Sequence, residues 1–427
     1  MQKLLLLAAF ITITTTSNAQ SARQEILSDK RCSASTYMAY PTPRASLSPA
    51  PQGKHPFLIS HYGRSGSRYH SKIKNYDGPW QVLQQAESSG KLTPLGRDVL
   101  HRIALIRQEA TNRWNELTPL GHQQEEQIVQ RMVEHFPEVF KDTAEIDARS
   151  MVFTRSIMSM ESALLQLVTL CPQLRITHDA SHSDQFFMNA SDYRLKKIRN
   201  DSIAQLQFQK FVSKLPTSHH FLKKLFNDMN YVRQHVNIEE FSDLMFKLAS
   251  IQQNTKLSSQ VTLYDIFSHD ELYTNWKKDN VWWYVNYGAW PQNGGTQPYT
   301  QRRLLRKIIT DADEFMQTDR HGAQLRYGDD VVVMPLICLL DLNGYGLATN
   351  NLESLESKGW VDYRVLPMAA NIQFVFYRTD PQDQEVLFKV LLNEQEATLP
   401  LPADRYPYYR WSDFREYYLK KLDAYEK

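Results

Sequence analysis

Arg64 and Arg68 stand four residues apart in the segment His61-Tyr62-Gly63-Arg64-Ser65-Gly66-Ser67-Arg68-Tyr69, with Gly66 between them. Two guanidiniums at that spacing can hold phosphate oxygens through paired, charge-assisted hydrogen bonds, and a glycine lets backbone approach a ligand closely. Arg-x-x-x-Arg alone more often marks two surface ion-pair partners. Its weight here comes from the apolar run before it, Pro56-Phe57-Leu58-Ile59-Ser60, which predicts a short buried strand. A strand ending in such a loop is where open α/β sheets place their ligands. Late in the chain, Asp329 and Asp330 are adjacent carboxyls that would raise one another's pKa in an anionic site. No group of His, Cys, Asp and Glu shows metal-ligand spacing, so neither a metal nor a cofactor is expected. The nearby histidines read as structural: His61 precedes the arginine pair, His70 lies beyond it, and His122 falls on a helix face.

The elements that must carry these residues are legible on either side. Thr93-Pro94-Leu95-Gly96 and Thr118-Pro119-Leu120-Gly121 each place a threonine N-cap before a proline at the first helical position. The second of these helices has Ile128, Met132, Val133 and Phe136 at helical spacing. Met151-Val152-Phe153 reads as a strand running into a helix with Ile157, Met160 and Leu164. From about Ser183 to Thr318 long amphipathic stretches take over. The aromatic cluster Trp282-Trp283-Tyr284, with Tyr287 and Trp290, is expected in their core rather than along a cleft. Val331-Val332-Val333-Met334 is strand-like, Phe374 to Tyr377 and Val386 to Val390 predict an antiparallel pair, and Trp411 to Tyr425 a closing helix. Strands on both sides of a helical block predict one α/β domain, residues 20–182 and 319–427, interrupted by an α-helical cap at 183–318.

Residues 1–19 have the pattern of a secretory signal peptide: Lys3, the apolar run Leu4 to Ile13, and the small-residue site Ser17-Asn18-Ala19. The run is shorter than the roughly 20 residues that span a bilayer, and no later segment is long and apolar enough to do so. An exported protein, periplasmic or extracellular, with no integral membrane segment in the mature chain, is expected. Across 427 residues, 49 Lys and Arg against 47 Asp and Glu lack the basic excess of a nucleic-acid binder. Cys32, Cys171 and Cys338 are too few and too scattered for a disulfide framework, and are expected as buried small side chains with at most one bridge.

Arg64-Ser65-Gly66-Ser67-Arg68 resembles the Arg-His-Gly-x-Arg signature of the histidine acid phosphatases, with serine in the histidine slot. Further segments follow in the family's order. Leu117-Thr118-Pro119-Leu120-Gly121 is similar to its Leu-Thr-Pro-x-Gly segment, and Asp147-Ala148-Arg149-Ser150 resembles its third phosphate-binding arginine motif. Arg155-Ser156-Ile157-Met158-Ser159 is similar to the continuation in multiple inositol polyphosphate phosphatases. Tyr327-Gly328-Asp329-Asp330, followed by Pro335-Leu336, resembles the late His-Asp motif.

The resemblance implies a three-layer α/β domain with a mainly parallel central sheet, a helical cap, and a phosphate site at the strand ends. It implies that Arg64, Arg68 and Arg149 clamp phosphate, while Arg155 reads equally as an extension of the basic wall or as a structural residue. Asp330 matches the acid that protonates the leaving group. Two positions depart: Ser65 stands at the nucleophilic histidine and Asp329 at the late one. A serine hydroxyl attacks poorly unless a base takes its proton, and the sequence supplies no obvious base. An anion at Asp329 would repel phosphate. Three functions stay open: a degenerate phosphatase that binds a phosphorylated small molecule (an inositol polyphosphate or other phosphomonoester) without turning it over, a slow phosphomonoesterase, and a non-catalytic interaction protein.

Overall fold

The computed structural model describes residues 21–189 and 192–426; the expected signal peptide lies outside them. One sheet organises the chain, in the order β3-β2-β4-β1-β5-β6-β7, with β8 on β6. The strands are β1 (His55–Arg64), β2 (Glu145–Ser150), β3 (Arg175–Asp179), β4 (Gly322–Gly328), β5 (Asn371–Arg378), β6 (Leu387–Leu392), β7 (Gln395–Glu396) and β8 (Tyr409–Arg410). From β3 to β1 all neighbours are parallel. The β5 and β6 strands continue the sheet antiparallel, as the alternating apolar runs predict.

Register brings the future site together. Arg64 of β1 pairs with Gly328 of β4, and Ser150 of β2 with Tyr327, so all three strands end at one edge. Ser65, Met151 and Asp329 follow directly. Helix Thr154–Leu170 starts just past β2 and helix Asp330–Leu340 just past β4, so their first turns face the same edge.

Each sheet face is covered. Leu58, Phe374, Phe376 and Val390 pack toward helices Arg302–Met316, Asp330–Leu340 and Trp411–Glu426. Ile59, Ile146, Ala148 and Leu325 pack toward helices Pro119–His135 and Thr154–Leu170. Sheet residues that alternate between two apolar layers make three layers in all. The threonine caps form as expected, with Thr93 and Thr118 accepting from the amides of Gly96 and Gly121 at 3.0 and 3.2 Å.

Two local expectations are corrected. Val331 to Met334 is helical, inside Asp330–Leu340, and the strand lies earlier, at Gly322–Gly328. Val332 to Leu340 is buried throughout, and an apolar run without a polar face does not distinguish strand from helix. Met151 to Phe153 is the connection after β2 rather than a strand.

Between β3 and β4 the described residues are helical, and their apolar side chains go to two different cores. Phe221, Phe241, Met245 and Trp276 pack with Tyr76, Leu83, Val99 and Ile103 of helices Lys74–Ser88 and Pro94–Ala110. Val281, Tyr284, Leu304 and Ile308 join the sheet core. Trp283 is buried, whereas Trp282 is 40% exposed. All three cysteines are buried free thiols. No helix among the described residues is long and apolar enough to cross a membrane.

Candidate active site

The loop after β1 is held by hydrogen bonds to both backbone and side chains. The Ser65 amide donates to Gly328 O at 3.2 Å, and the Ser65 carbonyl accepts from the Ala369 amide at 3.0 Å. Gly66 N donates to Ser159 Oγ at 3.2 Å and Ser67 N to Gln124 Oε1 at 2.8 Å. The start of helix Pro119–His135 presses against this loop: a Cβ on Gly66 would lie 2.4 Å from Gly121 O, and one on Gly121 would lie 2.1 Å from Ser67 O. Those contacts are the physical reason the loop and the Thr-Pro-Leu-Gly segment belong together. Ser65 is fully enclosed, and its Oγ has no hydrogen-bond partner.

Three guanidiniums and two carboxyls meet beside it. Arg64 Nη1 donates to Thr36 O and Leu366 O at 2.9 and 3.0 Å, and its Nη2 donates to Asp330 Oδ2 at 3.0 Å. Arg68 Nη2 lies 3.8 Å from the same oxygen, with its guanidinium over the Tyr37 ring. Arg155, in the first turn of its helix, donates through Nη2 to Asp329 Oδ2. The Nε atoms of all three arginines are buried without partners. Asp329 also caps the following helix, accepting from Asp330 N at 3.0 Å. Burial pushes the Asp329 carboxyl up, but Arg155, with Arg68 and Arg64 behind it, outweighs this and holds its pKa below the usual value. At Asp330, burial and the Asp329 charge prevail over Arg64 and Arg68, and the pKa is raised. The cluster has the chemistry an anion clamp needs, with counter-charges already built in.

The family model of the histidine phosphatase superfamily (branch 2) matches residues 66–393. The chain belongs to that superfamily. Solved structures carry the same fold. A multiple inositol polyphosphate phosphatase from Bifidobacterium longum, in complex with inositol hexasulfate, is similar at a TM-score of 0.74 and 16% identity, covering 90% of this chain and 97% of that one. A phytase from D. castellii is similar at 0.62 and 12%, covering 92% and 84%. A phytase from Hafnia alvei, in complex with myo-inositol hexakis sulphate, is similar at 0.51 and 14%, covering 87% and 98%. No curated protein sequence matches the chain significantly.

Within this histidine phosphatase fold, Arg149 is not brought to the clamp. On β2 the side chains of Ala148 and Ser150 enter one layer, and Arg149 points to the opposite side of the strand. There it pairs with Asp147 at 2.8 Å and lies 3.7 Å from Asp184, along a cavity of about 550 Å³ also lined by Lys307, Asp311 and Arg326. The expectation that Arg149 supplies the third arginine is corrected: Arg155 stands there, because the turn after β2 folds the first helical turn back over the strand ends.

His61 and His70 stay neutral and structural. Burial pushes His61 and His70 down to about 3. His61 packs on Tyr327, and His70 Nε2 lies 2.8 Å from Lys247 O. His122 Nδ1 is 2.7 Å from Ser162 Oγ. Sequence reasoning missed Glu125, a buried carboxyl beside Ser159 and the Gly66 amide whose pKa burial raises well above the usual range. Its only signal was a position two turns past the Thr118 cap, which an amphipathic helix normally gives to solvent.

Above the clamp, a cleft of about 420 Å³ opens between Tyr37, Asp330 and the helices Ile238–Ile251 and His269–Tyr287. Lys247, Lys278, Asp243, Asp279 and Trp282 line it.

Proposed function

We propose that this chain is an exported phosphate-binding member of the histidine phosphatase superfamily in which phosphomonoester hydrolysis is lost or strongly reduced. In this reading Arg64, Arg68 and Arg155 hold the anion, Ser65 occupies the nucleophile position, and Asp329 and Asp330 occupy the late motif. The ligand is a phosphorylated small molecule. One observation carries the proposal: Ser65 Oγ is fully buried and has no hydrogen-bond partner, so nothing stands ready to take its proton. The Arg155–Asp329 pair supports it, since a carboxylate already uses a donor that a phosphate would need. The N-terminal sequence pattern supports export. A slow phosphomonoesterase is the second reading, favoured by Asp330, whose pKa burial and Asp329 raise, the direction a leaving-group acid requires.

The test is inorganic phosphate release from an aryl phosphate and from inositol hexakisphosphate, by the parent chain and by the Ser65→His, Asp329→His double variant. An inert parent beside a variant that turns over is the expected result. Turnover by the parent at ordinary enzyme rates would overturn the proposal.

A further inference from the structure

Strand β3 stands at one end of the sheet, and among the described residues no strand lies on its outer side. Its inner side is satisfied by β2, and just before that strand Ala144 O accepts from Arg175 N at 3.0 Å. Main-chain groups alternate along a strand, so Arg175, Thr177 and Asp179 turn theirs inward. Ile176 and His178 turn theirs outward, a row of donors and acceptors of the kind that pairs with another strand. All of β3 except the half-buried Ile176 is exposed.

The side chains at this edge suit a second copy of the same strand. Arg175 and Asp179 carry opposite signs at its two ends. Laid antiparallel about a two-fold axis at Thr177, two β3 strands set each Arg175 opposite the Asp179 of the other copy. The same register joins Ile176 to His178 of the second copy, and these are the residues whose main-chain groups face outward. A one-residue slip would set outward groups against inward ones, and a two-residue slip would lose both charge pairs. Arg149, the inner neighbour of Asp179, lies 3.9 Å from it and is already bonded to Asp147 at 2.8 Å.

Helix Thr154–Leu170 adds apolar surface beside this edge. Glu161 Oε1 lies 3.1 Å from His178 Nδ1, which places that face of the helix against the outer strand. Met158, Leu165 and Val168 share the face at helical spacing from Glu161, and are 40%, 68% and 49% exposed. The helix returns from the end of β2 to the start of β3, so the stripe follows the strand edge. Two five-residue strands alone bury too little for a stable dimer, and two such stripes meeting on one sheet face supply the missing apolar contact.

We propose that β3 and helix Thr154–Leu170 form an isologous interface with a second copy of this chain, joining two sheets into one across a two-fold axis.

Sedimentation velocity of the full chain over a concentration series should show a dimer. Arg175→Asp and Asp179→Arg each create two like-charged pairs across the axis, and each should weaken the dimer about tenfold or more. The double variant Arg175→Asp, Asp179→Arg reverses both pairs and should restore it. Leu165→Glu should dissociate the dimer without touching the strand. All three positions are exposed, so melting followed by circular dichroism should stay close to that of the parent, which separates loss of the interface from loss of the fold. A parent that is monomeric throughout the series overturns the inference. So does a dimer that survives Leu165→Glu or both single charge changes, or one that the double variant fails to restore.

Discussion

Arg155 and Asp329 are ion-paired at the floor of the cleft, with side chains only 8% and 11% exposed. The carboxylate accepts from Arg155 Nη2, and in the function proposed above it does so from the late-motif position. In that function, an entering phosphate competes with a carboxylate the chain itself supplies.

Removing that competitor should separate stability from affinity. Asp329→Asn leaves Arg155 buried without its counter-charge, which costs about 3–5 kcal/mol when one partner of a buried pair is lost. Phosphate should return much of that loss. The variant is expected to melt below the parent in buffer and to gain more from inorganic phosphate than the parent does; equal gains would show that Asp329 does not compete.

Arg149 and Arg155 should part company on substitution. Arg149→Ala removes a partly exposed pair with Asp147, worth about 0–1 kcal/mol, and should leave phosphate affinity unchanged. Arg155→Ala should weaken phosphate by roughly tenfold or more, the loss of a charge-assisted hydrogen bond. Calorimetric titration of both variants with inorganic phosphate decides between the two arginines.

Asp279 makes a pH-dependent contribution with a definite sign. Its folded pKa is raised from 3.8 to about 7, so between those values the folded chain holds a proton that the unfolded chain has released. The stability this provides is complete below the unfolded value and is lost as pH rises through about 7. Asparagine cannot ionise. The stability of Asp279→Asn relative to the parent should therefore climb from about pH 4 to about pH 7 and level off above, read from denaturant midpoints. A difference that stays flat with pH would show that the carboxyl is not perturbed.

Much of the architecture was legible because it is written in local pattern. The run from Pro56 to Ser60 is apolar enough to be buried, and it forms the first half of β1. Thr93-Pro94 and Thr118-Pro119 carry their own capping chemistry, so those helices begin where the residues say. Local pattern failed at Val331 to Met334 because a segment buried on all sides has no polar face to reveal its period.

By itself the sequence determined the covalent facts that set the functional question: a two-arginine loop behind a buried strand, serine at position 65 and aspartate at position 329. Only the tertiary structure decided what those residues do to one another. Arg155 and Asp329 are 174 positions apart, and Arg64 and Asp330 are 266 apart. Their meeting depends on the common end of β1, β2 and β4, which strand register sets. Whether Arg149 or Arg155 reaches the clamp depends on which side of β2 a side chain leaves and on how the next helix turns back. Both follow from packing of the two apolar layers, a property of the whole folded chain that no short segment encodes.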